Sequence, residues 1–592
     1  MTAKRARDPS PRVARPESAK GESSDSSLTS IGRTERLVLA IILLVGVGLR
    51  LGDLSRSAVE HFDEAVYASN LLFGPESGYE WPGRQFFAPP LLPLVIEWFD
   101  IAGLMVFGSL PVWWPLLPSW LCGVVTIPSL WWIGRRWFSP AAGLTAAGIV
   151  AVSGIHSAYG ASALTDVPLT LAVLWGAYWF WKALVTGSSR DAVIAGLITA
   201  IAWWTKYNGW LVLAIGISGG MAAQLVLPPG QRRFGFWVRT SLMATIVAVV
   251  AWSPVGWWDA AKVGGYDKIA ANHQGYVHGL DQWPAAAVQQ LSAIASYDQI
   301  WICFGLALAL LGAFVIGRVR FIPAALAGGL IVWTLIGSGV LAAISIPLGL
   351  AAIPALWRDS RNAAETSAGS VAPAALTAWC LVFAAVLGLT LSTPFYRPYP
   401  RLMLPWLEFA ALLWGGLLAR GVSRTAVIGV RSRWVIAIPI LLAAAIGGAL
   451  RIAQLSGWPG ENRFAAVESA GRIARTLRDQ NAGQNPVTFL TGDPALFHQL
   501  LRRQNFATAQ VNDLKFLNQP PPAPVYLVMG YMAGRDETFQ NAWKPVADRF
   551  ELVDEFEVHP SRIVLFDFDA PATFAAHPER KTMTQRVYRL KE

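Results

Sequence analysis

The sequence predicts a polytopic α-helical membrane protein that carries an α/β domain after its last membrane span. Of its 592 residues, 54% are apolar and only 15% are charged, a balance typical of membrane proteins rather than of soluble enzymes. Apolar stretches long enough to cross a bilayer recur up to about residue 455. After that point short apolar runs alternate with helix-like segments, which is typical of a small α/β fold. The predicted parts are a disordered cytoplasmic tail (1–34), a transmembrane domain (35–455) and an external α/β domain (456–592).

About 13 transmembrane helices are predicted from the length of the apolar stretches. One further apolar run, 90–108, contains Glu97 and Asp100 among several prolines. We expect this run to lie at the membrane interface or to re-enter the membrane rather than to cross it. The predicted spans lie near 37–53, 112–133, 140–158, 167–185, 191–205, 208–226, 237–256, 299–317, 321–341, 343–357, 372–391, 401–420 and 434–454.

The distribution of basic residues predicts the orientation. The formal net charge is +10, but the basic residues lie in the tail and in every second link between spans instead of forming a continuous nucleic-acid-binding face. The positive-inside rule then places the N-terminus in the cytoplasm and, with an odd number of spans, the C-terminal domain outside a bacterial inner membrane. The links concerned contain Arg135, Arg136, Lys182, Arg190, Arg232, Arg233, Arg239, Arg318, Arg320, Arg358, Arg361, Arg420, Arg424, Arg431 and Arg433.

The C-terminal region predicts three strands, at 487–490, 525–529 and 563–568. Helices are expected near 464–480, 494–504 and 537–549. Because no Gly-rich fingerprint follows a strand, no nucleotide or redox cofactor is expected. The three cysteines lie inside apolar segments without metal-ligand spacing, and we expect them to be small buried hydrophobic residues.

Carboxylates stand out in the first two predicted external loops. Asp63 and Glu64 form an acidic pair, with Tyr67 one helical turn later, and Asp166 belongs to a Thr-Asp-Val-Pro segment. Each could simply cap a helix N-terminus, where acidic side chains are favoured.

Cations are predicted on the same side of the membrane. Lys206, Arg397 and Arg401 fall on the side that the positive-inside rule leaves poor in them. Carboxylates and cations on one face suit transfer from a phosphate leaving group, since a cation or metal stabilises the phosphate and a carboxylate takes a proton. The alternative is a set of interfacial salt bridges.

Other polar residues are less specific. His273 and His278 lie in a long external loop without helical ligand spacing, which favours solvated histidines. His156 is expected to be a satisfied interhelical residue, and Glu408 is an intramembrane carboxylate whose role the sequence leaves open.

The order of these features resembles a known family. An acidic pair, a Pro-Pro run, a span ending in Gly-Arg-Arg-Trp-Phe, an Asp-x-Pro segment and a Thr-Lys pair follow one another as in the bacterial protein O-mannosyltransferase and aminoarabinose lipid A transferase superfamily. The resemblance covers most of 35–420 and is strongest over 60–210. It implies the C-type glycosyltransferase fold and an inverting transfer of a sugar from a polyprenyl phosphate to a protein, lipid or glycan acceptor at the external face.

The resemblance also implies roles for individual residues. Asp63 matches the catalytic acidic position, with Glu64 beside it, and Asp166 matches a second-loop aspartate that can share a divalent metal site with Asp63. Lys206 and Arg401, with Arg397 and Tyr67 as further substrate contacts, match residues that face the donor.

One position departs from the family. Ala88 precedes the Pro-Pro pair where the family often carries Lys or His, so either Arg84 substitutes from the same loop or that contact is absent.

Two other classes of function remain open from the sequence. A transporter or lipid flippase would show inverted repeats and ionisable residues near the bilayer midplane. A scaffold for the α/β domain would leave the loop carboxylates and cations without a purpose.

Overall fold

The computed structural model describes residues 31–69, 88–262, 264–290, 293–294, 297, 371–425, 462–480, 487–491, 493–501, 506–510, 524–530, 540–541, 543–568 and 582–591. The helices before the sheet region are α1 (Arg33–Leu54), α2 (Phe62–Tyr67), α3 (Leu91–Phe107), α4 (Leu117–Trp137), α5 (Pro140–Val152), α6 (Gly154–Gly160), α7 (Asp166–Thr186), α8 (Ser189–Thr205), α9 (Leu211–Val226), α10 (Phe234–Lys262), α11 (Tyr266–Gln274), α12 (Val371–Ser392) and α13 (Leu404–Thr425). The remaining elements are α14 (Ala465–Gln480), β1 (Val487–Thr491), α15 (Pro494–Leu501), β2 (Phe506–Gln510), β3 (Val525–Met529), β4 (Phe550–Val558), α16 (Arg562–Phe568) and β5 (Met583–Leu590).

The chain is a polytopic membrane protein. Within the described ranges six helices are long and apolar enough to cross a bilayer, or seven if the bent pair α5 and α6 forms one span. The spans predicted near 299–317, 321–341, 343–357 and 434–454 lie outside the described residues, so the total of 13 stays a prediction. Helix α3 has 17 residues and buries Glu97 and Asp100, and its interfacial position also stays a prediction.

Small residues bring the central helices together. A Cβ on Gly143 of α5 would lie 2.2 Å from the Trp131 carbonyl oxygen of α4, and one on Gly415 of α13 would lie 2.4 Å from the Ala142 carbonyl oxygen. Such close approach of backbones is how helices pack in lipid, where apolar side chains gain little by leaving the membrane. The core formed in this way contains buried residues of α4, α5, α7, α12 and α13.

The predicted span 140–158 is broken at Ser153. Helices α5 and α6 meet there at 63°. The break frees backbone carbonyls inside the protein, and Arg50 of α1 donates to the carbonyl oxygens of Val150 and Ala151, at 2.9 Å each. Arg50 also lies 2.9 Å from His156 Nδ1. His156 Nε2 lies 3.5 Å from Glu408 Oε1 and makes no hydrogen bond to a described residue, so the prediction of a satisfied interhelical histidine holds for one ring nitrogen only.

The C-terminal region contains a mixed sheet with the strand order β2-β1-β3-β5-β4. Strands β1, β2 and β3 are parallel, while β5 runs antiparallel to β3 and β4. Two predicted strands correspond to β1 and β3. The third prediction was wrong, because 563–568 belongs to helix α16. A short continuous apolar run does not distinguish a buried strand from a buried helix, and this one buries consecutive residues on a helix.

Gly143→Ala should loosen the crossing of α4 and α5, because the added methyl group meets backbone atoms that cannot rotate away. We expect a clear loss of thermal stability in detergent, measured by fluorescence-detected size-exclusion chromatography. The matched control is Gly148→Ala on the same helix, where the nearest atom to a new Cβ is 3.9 Å away. That control should be neutral or slightly stabilising, because alanine favours the helix. Equal behaviour of the two variants would contradict this packing.

Candidate active site

One face of the helix bundle carries all the predicted site residues that the structure describes. We call it the site face and define it by the segments 55–69, 161–166, 205–210, 259–283 and 393–403. Its segments are joined by side-chain contacts rather than by sequence proximity. The α/β region packs against it, since Gln499 of α15 donates to the Val59 carbonyl oxygen at 3.0 Å.

Helix α2 positions the acidic pair. The His61 side chain accepts a hydrogen bond from the Asp63 backbone, while Glu64 Oε2 accepts from the His61 backbone at 2.9 Å, which forms a capping box. The two acidic residues therefore differ: Glu64 turns inward to cap the helix, and Asp63 points away from that network.

Glu64 is fully buried and joins three parts of the chain. Its Oε1 accepts from the Ala163 backbone at 3.0 Å, and its Oε2 lies 2.5 Å from Arg463 Nη2. Arg463 also donates to the Ala161 carbonyl oxygen at 2.6 Å. Sequence reasoning proposed a catalytic role for Glu64, but both of its oxygens are occupied inside the protein, so we interpret it as a positioning residue.

Glu60 completes this buried cluster. Its Oε1 accepts from the Ser561 backbone at 2.9 Å, and its Oε2 lies 3.7 Å from Arg463 Nε. Burial raises the pKa of Glu60 to about 7, although Arg463 and the bond from Ser561 oppose the shift and Glu64 adds to it.

Asp63 pairs with Arg401, and the two groups are the best-exposed ion pair of the site. Arg401 Nη1 lies 3.1 Å from Asp63 Oδ2, and the Asp63 side chain is 33% exposed. Asp63 Oδ1 makes no hydrogen bond to another described side chain. A carboxylate with one free oxygen open to solvent is suited to accept a proton from a bound molecule.

Asp166 pairs with Lys206. The Lys206 ammonium lies 2.6 Å from Asp166 Oδ1, at the point where α7 begins and α8 ends. Asp166 Oδ2 is buried and has no hydrogen-bond partner among the described residues. The lysine uses one of its three donors here, which leaves two for an anionic ligand.

Arg397 and Tyr396 belong to the loop that carries Arg401. Arg397 stacks over the Tyr276 ring with 5.0 Å to the ring centroid, and Tyr276 and Tyr396 stack with centroids 5.9 Å apart. An isolated β-bridge between Val277 and Tyr396 fixes this loop to the segment after α11.

Tyr396 lies close to the Asp63–Arg401 pair. Burial raises its pKa, and Tyr276 and Tyr399 raise it further. Arg401 opposes this shift and Asp63 adds to it, which shows that the pair lies within electrostatic reach of the phenol. Tyr396 is therefore a neutral hydrogen-bond donor at physiological pH.

The structure gives few side-chain contacts for the other residues that the sequence singled out. Tyr67 ends α2 and is an electrostatic neighbour of Tyr207. His273 bonds to the Ile269 carbonyl oxygen at 2.8 Å within its own helix, and the His278 backbone bonds to Phe395. Arg84 lies outside the described residues.

A divalent metal between Asp63 and Asp166 stays a prediction. Among the described residues no group of three or more metal-ligating side chains exists, and each of the two aspartates is already paired with a cation. This arrangement does not fit a metal ion unless both ion pairs rearrange, and the mechanism below uses none.

Three features at or next to the site face were not predicted from the sequence. Arg463 gave no signal, because its partner Glu64 is 399 positions away. Asp259 follows a Trp-Trp pair at a span end, where a carboxylate next to the membrane could have been noticed. The stacking of Tyr276 on Tyr396 could not be read from either segment alone.

Comparison with known proteins agrees with this architecture. Residues 92–258 match the family model described as dolichyl-phosphate-mannose-protein mannosyltransferase. The crystal structure of ArnT from Cupriavidus metallidurans bound to undecaprenyl phosphate superposes with a TM-score of 0.52 at 15% identity, covering 93% of this chain and 97% of that one. The chain has the C-type glycosyltransferase fold. The resemblance seen in the sequence agrees with the family-model match over residues 92–258 and with this fold.

A more distant structural match is an archaeal enzyme. The oligosaccharyltransferase of Archaeoglobus fulgidus in its apo form gives a TM-score of 0.48 at 13% identity, covering 88% of this chain and 73% of that one. No curated protein matches the chain significantly.

Glu64→Gln should destabilise the site face, because it leaves the buried Arg463 guanidinium without its nearest counter-charge. Removing one partner of a buried pair costs about 3–5 kcal/mol. SDS-induced unfolding in mixed micelles should show this loss, together with faster proteolysis at the loop of α2. The control is Glu555→Gln in the exposed pair with Arg586, where about 1 kcal/mol or less is expected. A loss for Glu64→Gln no larger than the control's would show that the pair does not hold the site face together.

Glu60 should make stability depend on pH. Its pKa is about 7 in the folded protein against 4.5 ordinarily, so between these values the folded state retains a proton that the unfolded state has released. Stability should therefore fall as pH rises from about 4.5 to about 7 and level off above that. Thermal midpoints measured across this window should decline in the wild type, and Glu60→Gln should flatten the curve. An unchanged slope in the variant would assign the pH dependence to other groups.

Proposed function

We propose that this protein transfers a sugar from a polyprenyl-phosphate donor to a hydroxyl group of a protein, lipid or glycan acceptor, with inversion at the anomeric carbon. The observation that carries this proposal is the pair of carboxylate–cation contacts on the site face, Asp63 with Arg401 and Asp166 with Lys206. The chemistry needs one base and a cationic site for a departing phosphate, and these residues supply both.

The donor phosphate would compete for the two cations. Lys206 has two further donors, and the Arg401 guanidinium can bind an anion through more than one nitrogen. When the phosphate takes Arg401, Asp63 loses its counter-charge and becomes a stronger base. The cations then stabilise the negative charge that builds up on the phosphate as the bond to the anomeric carbon breaks.

Asp63 would take the acceptor's proton. As the acceptor oxygen attacks the anomeric carbon from the face opposite the phosphate, its proton passes to the Asp63 carboxylate and the polyprenyl phosphate leaves with the bonding electrons. Asp166 holds Lys206 in place through its contact of 2.6 Å. Tyr396, stacked on Tyr276 near this pair, is placed to donate a hydrogen bond to the donor or acceptor.

The descriptions of similar proteins support a polyprenyl-phosphate sugar as the donor. The matching family model is that of a dolichyl-phosphate-mannose-protein mannosyltransferase, and the ArnT structure contains undecaprenyl phosphate. The arrangement of basic links favours an orientation in which the site face is external to a bacterial inner membrane.

Asp63→Asn should abolish turnover while leaving the fold intact, because the amide cannot accept the acceptor's proton. General-base assistance is worth about 10²–10⁴-fold, so release of undecaprenyl phosphate should fall by that factor. The assay uses the purified protein in lipid, a panel of undecaprenyl-phosphate sugars and a membrane extract of its host.

Asp548→Asn, at an exposed aspartate just before β4 and outside the site face, is the matched control and should retain wild-type turnover. Normal release by Asp63→Asn would remove the assigned base. No release by the wild type with any donor would favour a transporter or flippase instead.

A further inference from the structure

Asp259 is a buried carboxylate of the site face, and one of its oxygens receives no hydrogen bond from a described residue. Asp259, near the end of α10, is 1% exposed. Its Oδ1 accepts from the Tyr207 hydroxyl at 3.0 Å, while its Oδ2 is buried and has no partner among the described residues. A buried acceptor without a donor is costly, so native proteins keep one mainly where a ligand or water supplies the donor.

The backbone holds Asp259 in this position. Its carbonyl oxygen accepts from the backbone nitrogens of Gly264 and Gly265, at 3.1 and 3.3 Å. These glycines have φ values of 91° and 112°, a region that side chains rarely allow. The turn after α10 is therefore fixed by glycine geometry and holds the Asp259 backbone, while the hydrogen bond from the Tyr207 hydroxyl orients the carboxylate.

Tyr207 places this carboxylate beside the proposed phosphate site. Lys206 and Tyr207 are consecutive, with Cα atoms about 3.8 Å apart. Lys206 contacts Asp166, whereas Tyr207 contacts Asp259, so the ends of α7, α8 and α10 meet at this dipeptide. Tyr207 is also an electrostatic neighbour of Tyr67, which ends the helix that carries Asp63, so the Tyr207–Asp259 contact lies near the elements that carry both ion pairs of the site face.

The surroundings suit a sugar. Tyr207 meets Tyr266 and His273 edge-on, with ring centroids 5.9 and 6.2 Å away. Asn208 Oδ1 and Asp166 Oδ2 are also buried without partners among the described residues. Acceptor oxygens next to aromatic rings complement a group that is rich in hydroxyl or ammonium donors and has apolar C–H faces.

We infer that Asp259 and Tyr207 form a subsite that binds a hydroxyl or amino group of the donor's sugar and so selects the sugar. This inference rests on the proposed function. Asp259 Oδ2 accepts the sugar's hydrogen bond, and the Tyr207 hydroxyl keeps the carboxylate oriented through Oδ1. The phosphate is bound elsewhere, by Lys206 and Arg401.

Binding measurements separate the sugar from the phosphate. Affinities are measured in lipid nanodiscs by native mass spectrometry for bare undecaprenyl phosphate and for the same lipid phosphate carrying mannose, glucose or aminoarabinose. For the wild type, at least one sugar-bearing lipid should bind about 10–100-fold more tightly than the bare lipid phosphate, as expected for a hydrogen bond to a charged acceptor.

Asp259→Asn should remove most of that preference. The amide keeps an oxygen for the Tyr207 hydroxyl but presents a donor where Oδ2 was. The affinity for bare undecaprenyl phosphate should not change. Tyr207→Phe, which leaves the carboxylate charged but unanchored, should lower the preference in the same direction. Asp548→Asn, at an exposed aspartate just before β4 and outside the site face, is the matched control and should bind all probes as the wild type does.

The outcomes distinguish the subsite from the proposed function. If the wild type releases undecaprenyl phosphate from a donor and Asp259→Asn keeps the wild-type preference, the subsite is wrong and the proposed function stands. A wild type that binds bare and sugar-bearing lipids equally also overturns the subsite. If the wild type binds none of these lipids, the proposed function and the subsite both fail.

Discussion

The buried contact between Glu64 and Arg463 is the interaction on which the site depends. Glu64 caps the helix that carries Asp63, fixes the segment before Asp166 through the Ala163 backbone, and binds a guanidinium from the start of the α/β region. Two of these bonds orient segments of the site face, and the third attaches the α/β region to it. Because both oxygens of the Glu64 carboxylate are committed inside the protein, its neighbour Asp63 is the member of the acidic pair that stays exposed.

The membrane fold follows from apolar length and from glycine positions, and most of it could be predicted. The predicted spans near 37–53, 167–185, 208–226 and 237–256 correspond to α1, α7, α9 and α10. The break at Ser153 could not be predicted, because it depends on Arg50 supplying donors from another helix. The strand predicted at 563–568 failed because its continuous apolar run has no periodicity.

The charged residues of the candidate site could be predicted from the sequence, but the way they pair and the different contacts of Asp63 and Glu64 could not. Asp63, Asp166, Lys206 and Arg401 stand on one face because the spans bring their loops there, and the structure pairs them as two carboxylate–cation contacts. Sequence alone offered capping and catalysis as alternatives for the acidic pair. The structure shows capping by Glu64 and leaves Asp63 exposed, and a catalytic role for Asp63 stays a proposal. That distinction requires Ala163 and Arg463, which are distant in sequence and give no periodic signal.

The buried cluster of Glu60, Glu64 and Arg463 can form only after the C-terminal region has been synthesised. Glu60 bonds to Ser561, 501 positions later, and Glu64 to Arg463, 399 positions later. At translation rates of about 5–20 residues per second, the first loop waits tens of seconds for these partners. A ribosome that stops before the C-terminal region would therefore leave a membrane-inserted fragment in which Glu60 and Glu64 lack the counter-charge of Arg463.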